Sequence, residues 1–348
     1  MASKKLSGRE FTLNVLNGIS MGVVVSLIPS AILGQLMKAL IGIWPGFANN
    51  VIDITTFNMS LLPAMAGFSV GYLFKMNMVQ MSSIAGAAMI GSGVITKSGQ
   101  NFVLSGTGDV INVGVTIVFA ILIARFIGER FKNYTILLLP IAVIIIGGNL
   151  GLFTLPYVRM VTTYIGDLIM LFTSLQPLLM GILLGISFAV IICSPISSVG
   201  LAAAIGITGI ASGSANLGIT AGAFTLAIMG SSVNSFGTTI AHFLGTPKIQ
   251  MANMIEKPKL FIPVIISSAI MGGIGALFNI QGTAMSAGFG FSGLVGPLTA
   301  YGLMDKPSVI LLTILFVVCP IILGYVMRYL FINRTKWIDV NDLKIEAE

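Results

Sequence analysis

The sole histidine of the chain, His242, stands in the polar stretch SSVNSFGTTIAHFLGTPK (231–248). Asn234, Thr238 and Thr239 precede it, and their amide and hydroxyl groups could hydrogen-bond a sugar ring together with the imidazole. The plainer interpretation is a histidine at a helix end that bonds a backbone carbonyl and faces water. Ionisable side chains close to apolar segments are costly and usually functional, so the pattern favours solute binding.

A second polar cluster, Asn279, Gln281 and Thr283, leads into GTAMSAGFGFSGLVGPLTAYGLM (282–304). The repeated glycines and Pro297 of this segment disfavour a regular spanning helix and favour a re-entrant hairpin beside a cavity. Neutral amides and hydroxyls next to exposed backbone suit an uncharged or singly charged polar solute. The same side chains could instead cap the ends of broken helices. Ser194, beside Pro195, is a weaker third candidate for the binding site.

Patterns of other chemistries are missing from the sequence. It contains no H-E-x-x-H, no metal-ligand spacing and no Walker A motif, so we expect no metal site, no cofactor and no ATP hydrolysis. The two cysteines, Cys193 and Cys319, lie far apart in apolar stretches and are typical of buried small residues. No residue is predicted to be catalytic, and whether the chain takes part in an enzymatic reaction stays open.

The composition indicates what class of fold positions these polar clusters. Of the 348 residues, 56% are hydrophobic and 8% charged, whereas soluble domains carry about 25% charged residues. Apolar runs recur near the spanning length of about 20 residues. We therefore predict an all-α polytopic membrane protein with about ten transmembrane helices, an interfacial amphipathic helix and a re-entrant hairpin. The predicted spans are 12–43, 57–74, 78–96, 110–128, 134–154, 177–193, 196–212, 216–232, 260–280 and 308–332.

The net charge of +7 does not indicate nucleic-acid binding, because the basic residues do not form one patch. They stand at the ends of the apolar runs, which is the distribution that the positive-inside rule produces. This distribution places both termini on the cytoplasmic side of a lipid bilayer. The residues concerned are Lys4, Lys5, Arg9, Lys75, Arg125, Arg130, Lys132, Lys248, Lys257, Lys259, Arg328, Arg334 and Lys336.

The predicted organisation has four parts. Residues 1–155 form an N-terminal transmembrane half, and residues 156–176, which carry Arg159 and Asp167 among apolar residues, form an interfacial helix. Residues 177–333 form a second half with the hairpin near 282–304, and residues 334–348 are a cytoplasmic tail.

The order of these segments resembles the membrane component, EIIC, of the bacterial sugar phosphotransferase system. The similarity is closest to the type 2 branch, which includes toxin-regulator-like membrane proteins. It covers about residues 11–333, and the segments that carry it best are NSFGTTIAHFLGTPKIQMANMIEKPK (234–259) and QGTAMSAGFGFSGLVGPL (281–298).

The resemblance implies a homodimer in the bacterial inner membrane, whose first half is the dimer scaffold and whose second half moves like an elevator. It implies sugar transport coupled to phosphorylation by separate IIA and IIB proteins, with His242 near the sugar and the hairpin as one wall of the site. Many members carry a glutamate at the hairpin tip, whereas residues 281–304 contain no carboxylate. Two alternatives therefore stay open: a membrane-bound regulator or sensor that keeps the fold, and an uncoupled secondary carrier.

Overall fold

The computed structural model describes residues 7–131, 135–304 and 308–345, apart from the side chains of Gln35 and Glu129. Lys4, Lys5 and Lys132, which contribute to the predicted orientation, lie outside these ranges. The first half of the chain contains α1 (Gly8–Leu40), α2 (Pro45–Ser60), α3 (Leu62–Leu73), α4 (Met78–Gly91), β1 (Ile95–Ser98), β2 (Asn101–Leu104), α5 (Val110–Arg130), α6 (Thr135–Ala142), a π-helical turn (Val143–Gly147) and α7 (Gly148–Phe172).

The second half is also helical but more often interrupted. It contains α8 (Pro177–Ile192), α9 (Ser198–Ala204), α10 (Gly209–Met229), α11 (Phe236–Ile240), α12 (Met251–Glu256), α13 (Phe261–Leu277), α14 (Ala284–Phe289), α15 (Val295–Leu303), α16 (Val309–Thr313) and α17 (Cys319–Arg328). The π-helical turns of this half are Ala241–Gly245, Ile314–Val318 and Tyr329–Arg334, and its 3₁₀ turns are Pro247–Gln250, Pro258–Leu260, Ser292–Leu294 and Val340–Leu343.

Among the described residues, five helical stretches are long and apolar enough to cross a membrane: Gly8–Leu40, Val110–Gly128, Thr135–Phe172, Pro258–Leu277 and Val309–Arg334. The bent pair α2 and α3, which meet at 51°, makes six if it is one span. The all-α membrane class is therefore supported, whereas the predicted number of ten spans is not confirmed. Residues 156–172 continue α7 through Pro156, and their interfacial position stays a prediction.

The described chain divides into two compact units, one made of 1–27 and 54–160 and the other of 28–53 and 161–348. In the first unit, a hairpin of β1 and β2 interrupts the helices, with Ile95 paired to Leu104 and a turn at Gly99, whose φ is +60°. This pair of strands has no counterpart among the elements predicted from the sequence.

A buried amide fixes the first unit. Asn112 is fully buried, and its Nδ2 donates to the carbonyl oxygens of Gly91 (2.5 Å) and Gly151 (2.8 Å). Its Oδ1 accepts a hydrogen bond from Thr154 (2.7 Å). A buried polar group is stabilising only when such partners satisfy it, so this asparagine has a structural role that ties α5 to α4 and α7.

In the second unit, α8, α10 and α13 pack around small residues. A side-chain methyl at Gly218 of α10 would overlap Gly185 of α8, and a methyl at Gly185 would lie 2.5 Å from the carbonyl oxygen of Ser268 on α13. Small residues let helix backbones approach closely where no hydrophobic effect drives association in lipid. Two hydroxyl hydrogen bonds join α10 to α13, from Ser268 to the Gly218 oxygen (2.8 Å) and from Thr225 to Ser267 (2.9 Å).

The glycine-rich segment 282–304 is broken, as its composition predicts. It forms α14, a 3₁₀ turn and α15, with left-handed backbone at Gly290, Gly293 and Leu294. We call this segment the hairpin. Its tip packs against the end of α1 that belongs to the same unit, since any side chain at Gly293 would overlap the Ala31 carbonyl. The re-entrant position of the hairpin in a membrane stays a prediction.

Candidate functional site

Three phenylalanine rings bring the His242 segment and the hairpin together on α10. Phe224 of α10 stacks on Phe243 with centroids 4.3 Å apart, and it meets Phe291 of the hairpin edge to face at 5.3 Å. Phe243 and Phe291 also contact each other at 6.0 Å. Aromatic pairs of this geometry add stability beyond the area they bury. The two segments that the sequence singles out are therefore neighbours in the second unit.

His242 itself is fully buried, and both of its ring nitrogens have partners. Nδ1 lies 2.7 Å from the carbonyl oxygen of Thr238, and Nε2 lies 3.1 Å from Nε2 of Gln250. A carbonyl can only accept, so Nδ1 carries the proton and Nε2 accepts from the amide. This arrangement requires a neutral imidazole.

The environment of His242 favours the same neutral state. The residue lies between α11 and α12, outside the helices that are long enough to span a membrane. Burial lowers the pKa of His242 to about 4, against the opposing effect of hydrogen bonds with Thr238 and Thr239. Transfer of a charged group into an apolar interior is unfavourable, so the ring is uncharged near neutral pH.

Next to His242, side-chain amides bind the backbone of residues 343–345. Gln250 and Asn234 both donate to the carbonyl oxygen of Leu343, at 2.8 and 2.9 Å. Asn253 donates to the carbonyl oxygen of Lys344 (2.9 Å), and Asn234 accepts from the backbone N–H of Ile345 (2.9 Å). From here on, the tail means residues 335–345, which are the described part of the predicted tail after Arg334. Asn234, which is predicted to bind solute, thus contacts the tail in this structure.

A carboxylate completes the attachment of the tail. Asp342 lies 2.6 Å from Nζ of Lys257 and 2.6 Å from Nζ of Lys259. Burial raises the pKa of Asp342, but the hydrogen bonds and charges of the two lysines outweigh this effect and hold it below its usual value of 3.8. Asp342 therefore stays ionised over the whole neutral range.

Ser194 lies at the break between α8 and α9. Its hydroxyl donates to the carbonyl oxygen of Ile191 (2.7 Å), while its own carbonyl oxygen accepts a hydrogen bond from the buried ammonium of Lys248. Lys248 also donates to the carbonyl oxygen of Ile196 (2.9 Å). These two carbonyls lie in the break between α8 and α9, so by bonding both of them this lysine stabilises the broken segment.

Asn279 and Gln281 stand at the other edge of the hairpin. Asn279 is exposed and adopts a left-handed backbone conformation with φ 50°, and Gln281, which is partly buried, donates to its carbonyl oxygen (3.2 Å). Next to them Gly282 pairs with Gly209 at the start of α10. The exposed Asn279 amide is the most accessible of the predicted binding groups on this side.

Thr283 begins α14. It forms a reciprocal capping box with Ser286, and the hydroxyl of Ser212 on α10 donates to its carbonyl oxygen. The capping box satisfies free N–H groups at the start of the helix. The structure thus brings Thr283 to α10, and Asn279, Gln281 and Thr283 all belong to the second unit.

Leu294 has a strained backbone conformation in the hairpin, and the effect of this strain on stability can be measured. It has φ 61° and ψ 16°, a conformation that costs an L residue about 1–2 kcal/mol. We expect Leu294→Gly to raise the free energy of unfolding by about 1 kcal/mol, because glycine adopts this conformation without strain. Denaturant or thermal unfolding in detergent measures the change.

The control is Leu298→Gly, since Leu298 is similarly exposed (48%, against 42% for Leu294) but lies inside α15. Glycine inside a helix costs about 1 kcal/mol, so this variant should lose stability. Equal losses in both variants would show that Leu294 is not strained.

Asn216 is not among the residues predicted from the sequence to bind solute. This residue lies in the middle of α10, fully buried, and neither atom of its amide has a hydrogen-bond partner among the described residues. It faces the hairpin, since a methyl group at Gly296 would overlap Asn216 Oδ1. An asparagine at the centre of an apolar helix was the available signal, because polar residues at such positions are rare and costly.

No group of His, Cys, Asp or Glu residues that could hold a metal ion occurs in the described part of the chain. An open groove of about 370 Å³ lies in the first unit, lined by Met78, Val79, Ser82, Ser83, Pro140 and Ile144. It contains none of the predicted binding residues. The predicted binding residues lie instead in the second unit.

Comparison with known proteins gives one match. The family model described as "Phosphotransferase system, EIIC" matches residues 13–345. Neither a curated protein nor a solved structure matches the chain significantly. The match covers nearly all of the described residues, including α10, the His242 segment, the hairpin and the tail.

Proposed function

Because this chain belongs to the EIIC family of the phosphotransferase system, whose members are membrane-embedded sugar-transport components, we propose that it is a permease for a small, uncharged polar solute, a sugar or sugar alcohol. We propose that it works as a homodimer in the bacterial inner membrane, with both termini cytoplasmic. Separate IIA and IIB proteins would phosphorylate the solute, and the chain itself supplies no catalytic group.

The side chains around the hairpin are the observation that supports an uncharged solute. The 21 residues of α10 and residues 282–304 contain no Asp, Glu, Lys, Arg or His, and their polar side chains are amides and hydroxyls among small and apolar residues. A charged solute at such a place would lack a counter-charge, and an unpaired charge in an apolar site is strongly disfavoured. Hydroxyl groups, in contrast, pair well with neutral amides.

The proposed site contains Asn279, Gln281 and Thr283 on the hairpin side. We propose that four further groups in turns of the second unit contribute to it: Ser194, Asn234, Thr238 and Thr239. His242 completes the proposed site, next in sequence to Phe243, which contacts Phe291 of the hairpin. For His242 to bind a hydroxyl, its Nε2 must exchange the Gln250 amide for the solute, which is feasible because both are neutral donors of similar strength.

Thermal unfolding of the purified protein against neutral sugars, sugar alcohols, sugar acids and sugar phosphates tests the proposal. A ligand that binds only the folded state raises the melting temperature. We expect a shift with one neutral class and a loss of at least about tenfold in affinity in Asn279→Gly, which removes the amide but keeps the left-handed backbone.

Lys75→Gly is the matched control, since Lys75 has a similar φ of 55° and belongs to the other unit. It should bind the solute like the wild type. A shift with sugar acids alone would contradict the neutral site, and no shift with any solute would contradict the permease. Uptake into sealed vesicles that requires IIA, IIB and a phosphate donor separates coupled transport from an uncoupled carrier.

A further inference from the structure

Asn216 of α10 has a buried side-chain amide that packing does not explain. Ser214, two residues earlier, also has a buried hydroxyl without a partner among the described residues, but Asn216 leaves two polar atoms unpaired. Every residue from Ser212 to Ala227 of α10 is buried, and Asn216 is fully inaccessible. Its Oδ1 and Nδ2 have no hydrogen-bond partner among the residues that the structure describes. A buried amide without partners destabilises the folded protein, so an asparagine is not expected at a position with a purely structural role.

Asn112 shows what a structural asparagine looks like in the same chain. It is equally buried, but its amide makes three hydrogen bonds, with Gly91, Gly151 and Thr154. Both asparagines are fully buried, and the amide has partners in Asn112 but none among the described residues in Asn216. This difference indicates that the partner of Asn216 is a group that the described residues do not supply.

The surroundings of Asn216 define what that group is. Its Oδ1 contacts Gly296, and the carbonyl oxygen of Gly290 lies on the same side, 2.5 Å from the position that a methyl at Gly296 would take. Glycine at 296 is thus required for the hairpin to approach the amide. One acceptor and two N–H donors on a single planar group match two neighbouring hydroxyls of a polyol.

The hairpin that covers Asn216 contains the features of a movable element. Gly290, Gly293 and Leu294 all have positive φ values, and Leu294 is a bulky residue in a strained conformation. Backbone strain of this kind is concentrated at ligand clamps and switch regions. A small displacement of residues 290–296 would expose the amide, whereas α10 is held by its contacts with α8 and α13.

We infer that Asn216 is a ligand-contacting residue that determines specificity, and that its amide binds a pair of adjacent hydroxyl groups on a neutral sugar or sugar alcohol beneath the hairpin. This inference rests on the proposed function for the presence of such a solute. It adds a residue on α10 that the predicted site does not include.

The test compares Asn216→Leu with Asn112→Leu, both nearly isosteric replacements. The melting temperature of the ligand-free protein should be unchanged or higher in Asn216→Leu, because the substitution removes an unsatisfied amide. It should fall by several degrees in Asn112→Leu, which leaves two carbonyls and a hydroxyl without their partner. A fall in Asn216→Leu as large as that in Asn112→Leu would overturn the inference.

Binding is then measured with the neutral hexoses and hexitols glucose, galactose, mannose, mannitol and sorbitol, and with monodeoxy analogues of the best of them. We expect Asn216→Leu to bind the parent solute at least about tenfold more weakly. A loss of this size corresponds to roughly one good hydrogen-bonded pair. The wild type should discriminate against the analogue that lacks the contacted hydroxyl, and Asn216→Leu should bind parent and analogue equally.

The outcomes separate this inference from the proposed function. If the wild type responds to no member of the panel, both are wrong. If the wild type responds and Asn216→Leu binds with unchanged affinity and discrimination, the assignment of Asn216 alone is wrong. Asn216→Ala, which is too small to crowd Gly296, must show the same loss of discrimination.

Discussion

Gly218→Ala is expected to destabilise the second unit by about 3 kcal/mol or more, at the upper end of what overpacking costs. The added methyl would overlap the Cα of Gly185 and lie 2.5 Å from its carbonyl oxygen. These are backbone atoms, so no rotamer change relieves the overlap and α8 and α10 must separate. Thermal unfolding in detergent, followed by circular dichroism, measures the loss.

Two further glycines calibrate this expectation. A methyl at Gly222 of α10 would meet the Val264 side chain at 3.0 Å, and a methyl at Gly302 of α15 would have no neighbour within 4 Å. Gly222→Ala should therefore cost about 1 kcal/mol, and Gly302→Ala should be neutral or stabilise by up to about 1 kcal/mol through helix propensity. The explanation fails if all three variants have the same stability.

Asp342→Asn is expected to release the tail. Asp342 lies between Lys257 and Lys259, and the substitution removes both ion pairs. Hydrogen bonds to a charged group are stronger than neutral ones, and here they join segments more than 80 residues apart. Trypsin should then cleave after Lys336 or Lys344 at least about tenfold faster, because proteolysis follows the population of the open form.

Asp339→Asn is the matched control, since it makes the same change of charge at an exposed residue three positions earlier that caps Asn341. Its cleavage rate should stay near that of the wild type. Acid should mimic Asp342→Asn: the two lysines lower the pKa of Asp342, so its contribution is present above pH 3.8 and is lost as the pH falls through the folded-state value. A tail that stays protected in Asp342→Asn would contradict this role.

The sequence predicted most helices but not all their connections. The apolar runs 78–96, 110–128 and 177–193 correspond closely to α4, α5 and α8, because a long apolar run has few other stable forms in lipid. The run 196–212 does not form the one helix that was predicted, because Gly206 and Gly209 adopt positive φ values and break it. Short apolar runs alone do not reveal such breaks.

The site was predictable in its segments but not in its contacts. Polarity and glycine content singled out the His242 segment and the hairpin, and Phe243 and Phe291 bring them together. The partners of Asn234 and Gln250 lie about 100 residues away, on the carbonyl of Leu343. A backbone acceptor has no sequence signature, so the burial of His242 behind the tail could be seen only in the fold.

The two hydroxyl links between α10 and α13 limit how the second unit can deform. Ser268 bonds the Gly218 carbonyl and Thr225 bonds Ser267, so both links attach to neighbouring residues of α13. Sliding one helix past the other by a single turn would break both links and shift the glycine contacts with α8. In mechanical terms, the two links resist shear between α10 and α13, and a movement that preserves them carries both helices together.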